Sequence, residues 1–128
     1  MMPSLKWAVL AASASLLVAC GGSNEGTPNG AIAYNPATGD AAIYVNATTE
    51  GQARSEAVRN CGTTACDVVL TFSGDGVCGA IALSANGVIG VAKDDSDAEA
   101  EVGAVTNCQA KGGSSCYIPA AVRGDCNG

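Results

Sequence analysis

The chain has 128 residues, six Lys and Arg against twelve Asp and Glu, seven cysteines and no histidine. The missing histidine removes the common Ser-His and Cys-His nucleophile pairs. A net charge of −6 argues against nucleic acid, because neutralising phosphate needs a basic patch, and against electrostatic docking on anionic lipid.

The first predicted element is a leader. Lys6 gives a short positive start, and Trp7 to Ala19 is an apolar run of signal-peptide length. A spanning helix needs about 20 apolar residues, and Gly21 and Gly22 end this run too early. Leu17-Val18-Ala19-Cys20 closes it with a small-residue site ending in cysteine. That ending resembles the lipobox of bacterial lipoproteins. The resemblance implies that residues 1–19 are a lipoprotein signal peptide and that Cys20 becomes the lipid-bearing first residue of the mature chain. It further implies attachment to the membrane through lipid on Cys20. Gly21, where such lipoproteins carry Asp for inner-membrane retention, implies an outer-membrane or cell-surface address. The alternative is an ordinary secretory signal cut near Ala19, with Cys20 incidental. Both readings make the rest of the chain exported.

Residues 20–29 follow as the lipidated cysteine and a polar, Gly- and Pro-containing tether, a composition that favours flexibility. Residues 30–128 are then one small domain. Strands are expected at Ala31 to Tyr34 and Ala41 to Val45, with a turn between them. Thr49 and Gln52 form a capping-box pattern that opens a helix. Ala53, Ala57, Val58 and Cys61 fall on one face of it. A strand is expected over Asp67 to Phe72.

The pattern then restarts. Gly79-Ala80-Ile81-Ala82 repeats Gly30-Ala31-Ile32-Ala33, and Asn107-Cys108 repeats Asn60-Cys61. Asn86-Gly87 signals a two-residue hairpin between strands at Ala80 to Leu83 and Val88 to Ala92. Ser96 and Glu99 match Thr49 and Gln52 at an offset of 47. Ala100, Ala104, Val105 and Cys108 repeat the apolar face. A last strand is expected over Tyr117 to Val122, with Pro119 confining it to an edge or a bulge. The fold class is therefore α+β: a duplicated β-β-α-β unit, repeat 1 about 30–78 and repeat 2 about 79–126. The two would pack about a pseudo-two-fold axis, in a shared sheet or a closed barrel-like one.

The core candidates are mostly Ala, Val and Ile, which bury little area each, so covalent staples are expected. With Cys20 given to lipid, Cys61, Cys66, Cys78, Cys108, Cys116 and Cys126 remain. An even number in an exported domain reads as disulfides. The repeat makes Cys61–Cys66, Cys108–Cys116 and Cys78–Cys126 the symmetric solution. The alternative joins Cys66 to Cys116 across the halves. A zinc site is disfavoured, since the Cys-x4-Cys and Cys-x7-Cys spacings lack paired Cys-x2-Cys.

Gly30-Ala-Ile-Ala-Tyr-Asn-Pro-Ala-Thr-Gly39, the Ala-rich helix ending in Asn60-Cys61, the strand Cys66-Asp-Val-Val-Leu-Thr-Phe72 and then Cys78-Gly-Ala-Ile-Ala82 carry a further likeness. Over about residues 30–126 the chain resembles the bacterial family called domain of unknown function 4189. The resemblance implies a small exported or lipid-anchored envelope protein, and it carries over no catalytic residue.

No motif for chemistry stands out. Asp94-Asp95-Ser96-Asp97 is the obvious acidic cluster, but it coincides with a helix start, where capping accounts for it. As an EF-hand it has Glu99 where glycine is needed and Val105 where a bidentate Glu is needed. Lys93 and Lys111 stand in no Ser-x-x-Lys motif, and Gly74-Asp75-Gly76 and Gly112-Gly113 read as turns. The reading is a non-catalytic envelope module binding a protein or a wall component, with no cofactor and no metal. The alternatives are a carboxylate-dependent envelope hydrolase, which needs two converging acids, and a protease inhibitor presenting Tyr34 to Asp40.

Overall fold

A computed structural model describes residues 26–128. Within them the elements run β1 (Asn29–Tyr34), β2 (Ala41–Ala47), α1 (Glu50–Cys61), β3 (Asp67–Ser73), β4 (Cys78–Ala82), β5 (Gly90–Asp94), α2 (Asp97–Ala110) and β6 (Asp125–Cys126). The fold is α+β, and each half runs β-β-α-β in order. The strands form two antiparallel sheets, ordered β2-β1-β3 and β5-β4-β6. No ladder joins the two among the described residues, so the single shared or closed sheet expected from the sequence is not what forms.

The two Gly-Ala-Ile-Ala segments become the central strands, and strand alternation divides their side chains. Ile32 and Ile81, both fully buried, point between the sheets and meet Tyr34 and Phe72 there. Ala31 and Ala33 point outward to Ala53, Ala57 and Cys61 of α1, while Ala80 and Ala82 point to Ala100, Ala104 and Cys108 of α2. The layers are thus helix, sheet, sheet, helix. Alanine on the outer faces lets each helix ride close to its strands. At Gly90 a Cβ would run into the backbone of α2 at Ala104 and Cys108. The ring of Phe72 lies against both Gly30 and Gly79, where any Cβ would overlap it. One aromatic side chain therefore fills the gap between the starts of both central strands.

Both helices begin as their capping residues predict. Thr49 and Ser96 are extended, and their hydroxyls accept from the N–H of Gln52 and Glu99. The return bond differs from the ideal box: Gln52 Oε1 accepts from the N–H and hydroxyl of Thr48, each at 2.9 Å.

Two expectations are corrected. Asn86-Gly87 does not close a two-residue hairpin, since β4 and β5 pair as Ala82↔Gly90 and residues 83–89 form the connection. The Asn86 amide is used elsewhere: Oδ1 accepts from the Ser84 hydroxyl and Ser114 N–H, and Nδ2 donates to Gly112 O. Leu83 is meanwhile drawn into a bridge with Tyr117. Tyr117 to Val122 is not a strand beyond that bridge. Pro119 has no N–H to give to a ladder, and its carbonyl instead accepts from Val122 N–H in a turn. The third strand of the second sheet is the two-residue β6.

Candidate functional site

Cys20 and the leader lie outside the described residues. The other six cysteines come together as Cys61–Cys66, Cys78–Cys126 and Cys108–Cys116. The first and third each tie the end of a helix to the segment after it. The second joins the start of β4 to β6. Cys66 and Cys116, the alternative partners, are each bonded to their own helix instead.

The acidic cluster sits where the sequence places it and serves the start of α2. Asp94 Oδ1 accepts from Asp95 N–H at 2.7 Å, and Ser96 caps the helix. Glu99 turns its carboxyl to Asp94. Their hydrogen bond and the Asp94 charge push Glu99 above the ordinary carboxylate range, with burial and Asp95 adding to it. Asp94, Asp95, Asp97 and Glu99 are all exposed. Asp67 and Asp75 are exposed as well, at the start of β3 and in the turn after it. Among the described residues no three His, Cys, Asp or Glu side chains gather into a metal-holding group. Glu101 is different, with its side chain only 16% exposed. It takes both Arg123 Nε and Nη2 at 3.0 Å and the Gly124 N–H at 2.8 Å. The Arg123 and Gly124 bonds hold its carboxyl below the ordinary range. Its role is to fasten the segment before β6 to α2.

Tyr34 to Asp40 forms a short connection with Pro36 to Asp40 exposed. Buried Asn35 braces it: its carbonyl accepts from Thr38 and Gly39, its N–H donates to Asp40 O, and its Oδ1 accepts from Ala37 N–H.

One concave surface lies at the seam between the sheets. There the outer edge of β2, at Ala41 to Ile43, faces the irregular segment Ala120 to Asp125 across a groove of about 460 Å³. Asn60, Arg123 and Asp125 border it with polar groups, and the remaining lining residues are small or aliphatic. Beyond the groove the seam is shut by the chain's last residues. A bulge in the β1–β2 pairing leaves Asn46 at φ 66. Its N–H, turned out of the ladder, is accepted by Asn127 Oδ1 at 2.9 Å. Asn127 is buried and also donates from Nδ2 to Pro28 O and Phe72 O.

Sequence reasoning missed Asn127. Its only mark is its place beside Cys126, and nothing local announces that its partners lie 81 and 99 residues away. The structure also extends the apolar face of α2 beyond the predicted Val105 to an exposed strip. Val102 there is 67% exposed, beside Ala98, Val105 and Ile118.

Among the described residues no helix is long and apolar enough to cross a membrane. No curated protein and no solved structure matches the chain. A family model does match, over residues 29–122, from the start of β1 to just before the segment that leads into β6. Its description is a domain of unknown function, and the chain belongs to that family, DUF4189.

Proposed function

We propose that the chain is an exported, lipid-anchored envelope protein, held at the outer membrane or cell surface through Cys20, and that its domain is a non-catalytic module binding an envelope protein. One observation carries the compartment and the anchor together. Every cysteine from Cys61 to Cys126 is engaged in a disulfide, which leaves Cys20 as the odd one out of seven. Disulfides of this density belong to oxidising compartments, and a lone cysteine at the end of an apolar leader suits lipidation. The binding reading rests on the groove at the seam, where β2, an edge strand of its sheet, suits an extended polypeptide. The acidic cluster at the start of α2 is exposed and Glu101 is bound to Arg123 and Gly124, so neither offers the hydrolase reading a desolvated pair of free acids.

Labelling of growing cells with palmitate tests the anchor. Label should enter the wild type and not Cys20→Ser, and equal labelling of both would overturn it. A photo-crosslinking residue at Ile43 tests the binding face, with Val102 as the control position. Protein adducts from position 43 alone support the reading. Adducts to wall glycan would replace the protein partner with a wall component, and equal adducts from both positions would remove the groove from consideration.

A further inference from the structure

We propose that Cys126 and Asn127 form a redox-controlled latch that closes the seam between the two sheets. This goes beyond the reading above and does not depend on lipid anchoring. As a strand, β6 is weak: it pairs with β4 only as Cys78↔Cys126 and Gly79↔Asp125. The residue that follows does its bonding in the first half of the domain. Besides Asn46, Pro28 and Phe72, Asn127 reaches Gly76, whose N–H donates to its carbonyl at 2.8 Å, and Val77, whose carbonyl takes its N–H at 3.0 Å. Gly128 N–H adds a bond to Asn46 Oδ1 at 2.7 Å. All of these partners precede β4.

The Cys78–Cys126 bond sets where this tail can sit, because Asn127 is the very next residue. Cut that bond, and a two-residue strand must hold the tail alone. When the tail leaves, the bulged N–H of Asn46 and the N–H of Gly76 lose their acceptors, and β2 is uncovered at its Asn46 end. Neither of the other disulfides touches these groups, since each lies within one half.

Cys78 is buried and Cys126 is only partly so, so exchange starts at the Cys126 sulfur. A dithiol reductant supplies the chemistry. Its thiolate attacks Cys126 Sγ, and Cys78 leaves as a thiolate and takes a proton. The second reductant thiol then displaces Cys126, which is protonated in turn. The reductant ends as its own disulfide, and the protein has gained two electrons and two protons. A reducing compartment therefore keeps the seam open, and an oxidising one shuts it.

Amide hydrogen exchange on the full chain tests this. In the oxidised protein Asn46 and Gly76 should be protected. In Cys78→Ser/Cys126→Ser both should fall to near free-peptide rates, while Ile32 and Ile81, weakened only by the overall loss of stability, stay far better protected. Unchanged protection at Asn46 and Gly76 would overturn the latch. So would a collapse in which Ile32 and Ile81 fall to the same near free-peptide rates, because the bond would then be a general staple and not a local latch. Cys108→Ser/Cys116→Ser should leave Asn46 and Gly76 protected, and their loss there would count against the proposal equally. Asn127→Ala, with every disulfide intact, should expose Asn46 and spare Gly76, which binds backbone. Asn46 staying protected in that variant would overturn the role of the side chain.

Discussion

The two halves use the same order of elements and close their sheets in different ways. In the first, β3 runs seven residues, Asp67–Ser73, and pairs with β1 along its whole length. In the second, the corresponding stretch gives one Leu83–Tyr117 bridge, a turn at Pro119 and the two-residue β6. A run of β-branched and aromatic residues without proline can build a ladder. A run broken by proline cannot, and the second half substitutes side-chain fastenings: Glu101 on Arg123 and Gly124, Asn86 on residues 112–114, and the Cys78–Cys126 bond. Ladder hydrogen bonds are distributed along a strand, whereas fastenings concentrate stability at a few atoms. Single substitutions should therefore injure the second half more sharply than the first.

The largest effect tests what the halves share. Phe72→Ala removes the ring seated on both Gly30 and Gly79, and should cost about 3–5 kcal/mol in denaturant unfolding. Exchange should speed up in both central strands. Loosening of β1 alone would assign Phe72 to the first half and sharpen the contrast. Next come the disulfides. By loop length, losing Cys78–Cys126, which spans 48 residues, should cost about 4 kcal/mol, and losing Cys61–Cys66, which spans 5, about 2 kcal/mol. Equal losses in paired Cys→Ser variants would break the distinction between a local staple and one that joins distant ends.

Smaller effects come from the ionised fastenings. The Glu101 carboxyl titrates lower when folded than when unfolded. Its contribution is thus present above the ordinary carboxylate range and fades as pH falls through the folded value. Glu101→Gln should cost at most about 1 kcal/mol at neutral pH, and the gap from wild type should vanish in strong acid. Glu99 has the opposite sign. Its folded form holds the proton more tightly, so its favourable share exists at low pH and is lost as pH rises through the folded value. Glu99→Gln should be slightly more stable than wild type at neutral pH. Thermal melts across the acid range would separate the two residues.

What the sequence revealed follows the same division. The caps at Thr49 and Ser96, the Ala53–Ala57–Cys61 and Ala100–Ala104–Cys108 faces, and the two Ala-Ile-Ala strands were legible because their determinants lie within a turn or two of chain. The Asn86-Gly87 turn was misread because its local preference lost to partners at Gly112 and Ser114. The Tyr117 strand was not legible because Pro119, compatible with an edge or a bulge, instead breaks the run into a turn. The seam was not legible at all. Its groove joins residues 41–43 to 120–125, and its closure rests on Asn127, an ordinary amide until the distant bulge at Asn46 gives it a donor to accept.

The entry of the chain into the sheet has a mechanical consequence. Residue 26 leads through Pro28 directly into β1, and β1 lies between β2 and β3 with ladders on both sides. Tension arriving from the N-terminal side therefore pulls the central strand along its own axis. Both ladders are loaded in shear, many bonds at once, instead of being peeled apart one by one. The Pro28 carbonyl, held by Gly74 N–H and Asn127 Nδ2, is the first point to take the strain, so a pull from that side is shared with Asn127 before any strand moves.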